Sequence, residues 1–233
     1  MASSWHNENV ARQFLDERRA AIPYAGDQIA LLLQLIAHFR GAPRRLLDLG
    51  CGDGLLARSV LSVYPEARAV LLDHSGPMLA RAWKAMERFD DRAALLQADL
   101  SAPLATAVGT EPFDLIVSGF AIHHLADERK RSLYGEIFAL LGRGGLFVNI
   151  EHVASASPKI EALFDALYID RLASKTGKPR AQVEQEYHAR PDKADNILAP
   201  IEPQLGWLRE IGFQHVDCFF KWLELAVFGG IRP

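Results

Sequence analysis

Leu46-Leu47-Asp48-Leu49-Gly50-Cys51-Gly52-Asp53-Gly54 is the stretch on which the fold turns. An apolar run ends in an acid and then meets glycine at every second position. This is the pattern of a buried strand feeding a tight loop before a helix. Glycine lets such a loop turn sharply and leaves room for a ligand where a Cβ would stand. A dinucleotide fingerprint needs glycine at its first, third and sixth positions. Counted from Gly50 the sixth position is Leu55, the glycine falls at the fifth (Gly54), and no basic residue lies between Asp48 and Leu56. Both facts weigh against a nicotinamide cofactor with its pyrophosphate.

Outward from this stretch, short apolar runs alternate with helical segments. Strands are expected at Arg45–Leu49, Arg68–Leu72, Ala94–Ala98, Phe113–Ser118 and Gly145–Ile150, and helices at Leu55–Val63, Pro77–Arg88 and Glu128–Leu141. Gly142 to Gly145 reads as a turn. Strand–helix alternation with short connections implies an α/β, doubly wound parallel sheet covered on both faces. Such sheets bind ligands beyond the carboxyl ends of their strands. The first 40 residues read as helices interrupted at Pro23. Residues 152–200 break the rhythm and read as a helical insertion, with Ile160, Leu163, Phe164 and Leu167 on one helical face. The chain then ends in a helix, Pro203–Ile211, and two runs, Val216–Phe220 and Trp222–Phe228, close enough to pair as a hairpin. With 233 residues, this describes one domain: a helical cap at 1–43, a cofactor-binding core at 44–151, the insertion at 152–200 and the closing hairpin unit at 201–233.

The strand ends carry the chemistry. Asp73 closes the second strand about 20 residues beyond the glycine loop, where a carboxylate can accept both hydroxyls of a ribose. Asp99 and Leu100 follow the third strand, and Ser118 ends the fourth. In this order the loops resemble the class I S-adenosylmethionine-dependent methyltransferases. The resemblance implies a Rossmann-like sheet of about seven strands, mostly parallel with an antiparallel last strand, and S-adenosylmethionine as cofactor. It further implies that Asp48, Gly50, Gly52 and Gly54 form the cofactor loop and that Asp73 grips the ribose. The turn with His74 and Met78 packs beside the adenine, Asp99 and Leu100 meet the adenine ring, and Ser118 borders the crevice. In related enzymes a segment like Arg18-Arg19-Ala20-Ala21-Ile22-Pro23-Tyr24 folds over the cofactor, which puts Arg19 and Tyr24 near its carboxylate. That segment and the Gly212–Glu224 ending are also similar to carboxy-S-adenosylmethionine synthase, a sister family that places a carboxylate-binding arginine where Arg190 lies.

A sulfonium carries its own leaving group, so methyl transfer needs mainly alignment of nucleophile, carbon and sulfur. A base is required only when the acceptor must lose a proton. Histidine suits that task near neutral pH, and His123, Glu151 and His152 at strand ends are the candidates. Phe120 to His124 are expected to line the crevice, with at most one of the two adjacent histidines meeting the ligand directly and His124 counted among the acceptor-binding residues. Tyr168, Tyr187, Arg190 and Trp222 are expected to wall a small-molecule acceptor beneath the insertion. The spacing of His123, His124, Glu151 and His152 matches no metal motif. A net charge of −3 argues against binding nucleic acid by bulk charge, although a tRNA acceptor and a non-catalytic cofactor-binding role remain alternatives. Two cysteines cannot build a disulfide scaffold and suit a reducing compartment. No apolar run is long enough to span a bilayer, and Met1 to Val10 holds no signal-like stretch, so a cytoplasmic protein is expected. Pairing of two copies is left open.

Overall fold

A computed structural model describes residues 4–233. Met1, Ala2 and Ser3, the start of the stretch read for targeting, lie outside the described residues. Two helices open the chain, α1 (Glu8–Ala21) and α2 (Ala25–Arg40), and the segment at Pro23 bends one against the other by 85°. No single described helix is long and apolar enough to cross a membrane, although this bent pair passes on length and composition together.

Strand and helix then alternate: β1 (Arg45–Leu49), α3 (Leu55–Val63), β2 (Arg68–Asp73), α4 (Gly76–Met86), β3 (Ala93–Gln97), α5 (Ala105–Val108), β4 (Phe113–Gly119), α6 (Asp127–Leu140) and β5 (Leu141–His152). The insertion supplies α7 (Pro158–Thr176) and α8 (Arg180–His188), and the chain closes with α9 (Ile201–Ile211), β6 (Gln214–Trp222) and β7 (Leu225–Ile231). The seven strands form one sheet in the order β3-β2-β1-β4-β5-β7-β6. The first five are parallel neighbours, while β7 runs antiparallel to both β5 and β6. This is the mixed, doubly wound sheet expected. The order reverses between β1 and β4, and a ligand crevice belongs at that switch point.

Near-continuous apolar runs in β1 and β4 follow from burial on both faces. Two core clusters result, one on each side of the sheet, with Leu47, Ile116 and Phe147 in one and Leu46, Leu115 and Val148 in the other. Three local expectations are corrected. Gly142 to Gly145 is absorbed into β5 as a bulge opposite Phe113 and Leu115, with Gly144 at φ +70°. The final turn falls at Leu223-Glu224 rather than before Trp222; Leu223 takes φ +49°, the left-handed geometry that tight hairpins demand. On α7 the apolar face splits: Phe164 is buried, whereas Ile160, Leu163 and Leu167 are exposed.

Candidate functional site

One cavity of about 480 Å³ opens at the carboxyl ends of β1, β2, β4 and β5, a size suited to a small ligand. The loop after β1 forms its floor. A Cβ on Gly50 would meet the Cβ of Ala121 at 2.1 Å, so this glycine lets the loops after β1 and β4 touch. Gly52, at φ +55°, has nothing within 4 Å of a built Cβ, which leaves open space above its backbone. Gly54 plays a different part from the one expected. It faces Met86 and Leu71 in the core and does not line the cavity.

Asp73 is the best-defined polar group of this half. Its buried carboxylate accepts from the Gly52 and Ser75 backbone N–H groups, both at 2.8 Å. Burial nevertheless wins and raises its pKa above the usual carboxylate value. Further hydroxyl donors would favour the ionised form, and carboxylate oxygens have lone pairs left for them. His74, Met78, Asp99 and Leu100 also line this half. Asp48 lies beneath the loop, accepts from the Ala57 N–H at 3.0 Å and has one buried oxygen without a partner. Burial pushes its pKa up to about 7. It borders a smaller recess of about 90 Å³ together with Arg19, Gly50, Gly52 and Asp53. There the Arg19 guanidinium is paired with Asp53 at 2.5 Å.

The opposite half is built around His123. Its Nδ1–H donates to Glu151 Oε1 at 2.6 Å, and its backbone N–H donates to Glu151 Oε2 at 3.0 Å. Glu151 thus stands behind His123 rather than in the cavity. Burial opposes its ionisation, but the His123 ring and the His152 N–H outweigh that and hold its carboxyl below the ordinary glutamate range. The Glu151 carboxylate thereby orients the His123 ring through Nδ1, and His123 itself lines the cavity. His124 also lines the cavity, and both its nitrogens are engaged. Trp5 Nε1–H, which can only donate, gives its proton to His124 Nε2 at 3.2 Å, so Nδ1–H faces the Asp195 carbonyl at 3.2 Å. His152 lies on the same wall with Nε2 2.6 Å from Glu224, which also accepts from the Ser155 hydroxyl.

The insertion closes this half. Tyr168 donates to the Arg18 carbonyl at 3.1 Å, and Tyr187 hydrogen-bonds Asp165. The Arg190 guanidinium lies over the Tyr187 ring at 4.6 Å. All three residues line the cavity. Three other expected residues do not. Ser118 is fully buried and donates to the Leu49 carbonyl, joining β4 to β1. Tyr24 is exposed at the bend between α1 and α2 and packs against the half-buried Trp222, which meets Phe164 from behind, and neither lines the cavity.

Sequence reasoning placed Phe120 along the crevice and missed Trp5 and Asp192. Phe120 borders both cavities at φ +53°, a strained backbone of the kind that concentrates at ligand sites. Asp192 forms a buried pair with Arg18 at 2.6 Å across 174 positions of chain. Nothing in the local sequence marks Trp5 or Asp192. Among the described residues, no three His, Cys, Asp or Glu side chains converge as a metal site would require.

A buried acid at the β2 end, open space over Gly52 and a roomy cleft at the switch point suit a nucleoside without a pyrophosphate. Comparison with known proteins agrees: residues 46–145 match the model of a methyltransferase domain. The match runs from β1 into β5, the part of the sheet that carries the cavity, and supports a likeness to the class I S-adenosylmethionine-dependent methyltransferases. The chain is similar along nearly its whole length to the carboxy-S-adenosyl-L-methionine synthase of a Nitratiruptor species. The two are 24% identical over 229 residues, covering 97% of this chain and 92% of the relative. Among solved structures it resembles an O-methyltransferase family protein from Burkholderia thailandensis (TM-score 0.62, 16% identity, 95% of this chain and 62% of that one). It also resembles human N-acetylserotonin methyltransferase in complex with S-adenosylmethionine (TM-score 0.61, 17% identity, 98% and 57%). The chain therefore spans about three fifths of these two solved proteins. These likenesses support S-adenosylmethionine as the cofactor, and Gly52, Asp73, Met78, Asp99 and Leu100 line one half of the cavity.

Proposed function

We propose that the enzyme transfers the methyl group of S-adenosylmethionine to an oxygen or nitrogen of a small acceptor, by in-line displacement, with His123 taking the acceptor's proton. The cofactor, when bound, supplies a methyl carbon that already carries its leaving group. The chain's task is then to position and to manage one proton. Asp73 and the Gly52 backbone orient the sugar, and the loop after β4 brings His123 to the same cavity. The acceptor's O–H or N–H proton passes to His123 Nε2 as the new bond to carbon forms, and Glu151 stabilises the resulting imidazolium. Phe14, Phe164, Tyr168 and Tyr187 exclude water around the acceptor. The observation that carries this reading is the His123–Glu151 pair at 2.6 Å, directed from a buried carboxylate toward the cavity.

The test is incubation with methyl-labelled S-adenosylmethionine and a metabolite extract. Label should appear in a small product in step with released S-adenosylhomocysteine, and His123→Gln should abolish transfer while cofactor affinity persists. Label appearing only in tRNA or protein, or full activity of His123→Gln, overturns the reading. A second reading is favoured by Arg190 in the cavity wall and by the full-length similarity to proteins named carboxy-S-adenosyl-L-methionine synthase. Arg190 would there hold a carboxylate in its planar guanidinium fork. Mass spectrometry of the same incubation separates the two, because this reading yields a cofactor enlarged by a carboxyl group and no methylated product.

A further inference from the structure

Ser4, Trp5 and His6 form a short turn that crosses the rim of the cavity and is tied down at both sides. Ser4 donates from its N–H and its hydroxyl to Asp195 at 3.0 and 2.6 Å. On the cofactor side, the Ser75 hydroxyl donates to the Trp5 carbonyl at 2.6 Å, while the His6 ring meets His74 edge-on with centroids 5.1 Å apart. Ser75 is the same residue whose N–H holds Asp73. Between the two anchors, the Trp5 indole lines the cavity and gives its N–H to His124. The strap therefore joins the ribose-binding acid to the turn that carries His123.

His124 is the piece it controls. Its ring centroid lies 4.0 Å from that of His123, so a charge on one opposes a charge on the other. We propose that the strap holds His124 as a neutral Nδ1–H imidazole and thereby preserves the capacity of His123 to accept a proton. Trp5 and His124 are positioning residues in this account, and the inference rests on His123 being the base.

Two observations support it. Trp5 can only donate, so its bond consumes the lone pair through which His124 would be protonated. Burial and the neighbouring His123 drive the pKa of His124 down to about 3. The groups facing this ring pair are few. Glu151 and His152 approach from β5, with Glu224 behind His152. Asp195 presents its carbonyl to His124 and spends its carboxylate on Ser4. Lys130 of α6 is turned to Asp127 and the Ile197 carbonyl, and Asp73 is held by backbone N–H groups. With the strap in place, no described carboxylate is within hydrogen-bond reach of the His124 ring. Opening the strap would admit water and free Nε2, and His124 could then charge within the ordinary histidine range.

The experiment is NMR of the full chain with ¹⁵N-labelled histidine between about pH 5 and 8, with His124→Gln and His123→Gln used for assignment. In the wild type, His124 should stay a neutral Nδ1–H tautomer throughout. In Trp5→Ala its midpoint should move into that window, whereas Trp5→Phe, which keeps the cover and loses the N–H, should fall between. Methyl transfer by Trp5→Ala should match wild type at the alkaline end and fall away as the pH drops, by about tenfold or more near pH 5.5. A wall-only role would lower the rate by one factor at every pH. The proposal is overturned if His124 charges in the wild type over this range, or if Trp5→Ala leaves it neutral. Failure of the base assignment looks different: His123→Gln would keep its activity while the His124 signals still respond to Trp5→Ala.

Discussion

The two walls of the cavity are built from very different lengths of chain. The wall toward β1, β2 and β3 takes Gly50, Gly52, Asp73, Met78, Asp99 and Leu100 from 51 consecutive positions, at the ends of these three strands and in the first turn of α4. The opposite wall gathers Trp5 and Arg18 from the N-terminal segment, His123 and His124 from the loop after β4, His152 from the end of β5, and Tyr168, Tyr187, Arg190 and Asp192 from the insertion. The first wall presents backbone and one buried acid, a geometry that any parallel sheet of this order can offer to a nucleoside. The second presents paired side chains, Glu151 with His123, Glu224 with His152 and Asp192 with Arg18. In the proposed function, cofactor binding rests on local, strand-end chemistry, while acceptor choice and proton transfer rest on contacts across the chain.

That contrast can be broken experimentally. His123→Gln should lower kcat by two to four orders of magnitude, the range of a lost general base. Its cofactor affinity, measured by calorimetry, should be unchanged; a parallel loss of affinity would show that the walls are not separable. Asp73→Ala should do the reverse, weakening cofactor binding by about a hundredfold through the loss of roughly 3 kcal/mol of charge-assisted hydrogen bonds. Unaltered affinity would remove Asp73 from the ribose. Asp192→Ala leaves the Arg18 guanidinium buried without its partner, which costs about 3 kcal/mol of stability. Denaturant unfolding should record that loss with cofactor affinity largely kept.

The smallest effect concerns pH. The folded pKa of Asp48, about 7, lies above that of the unfolded chain, so the folded state binds the proton more tightly. The associated stability is present at acidic pH and is lost as pH rises through about 7. Asp48→Asn should flatten this dependence, and its melting temperature should gain on the wild type as pH rises from about 4, the ordinary aspartate value, to about 7, and level off above that. Glu151 works in the opposite sense. Its folded pKa is lowered, so its contribution is intact near neutrality and fades only as pH falls below the ordinary glutamate range.

The strand ends were legible because each is announced by its neighbours. An apolar run stops, an acid or glycine follows, and the strand places that residue at the crevice. The errors share a cause. Ser118, Tyr24 and Trp222 sit at suitable sequence positions, but side-chain direction decided otherwise: Ser118 turns to the Leu49 carbonyl, and Tyr24 packs outward with Trp222. Trp5 and Asp192 carried no local signal, since each acquires its role from a partner more than a hundred positions away.

Alternation of apolar runs, glycine spacing and terminal acids, all local properties, determined by themselves the sheet, its crevice and the kind of cofactor. Which histidine keeps an available nitrogen, which acid stands behind it and what roofs the acceptor were decided only by the tertiary structure. A tautomer depends on the partner a ring meets in space, and the folded sheet and its insertion, not the order of residues along the chain, bring those partners together.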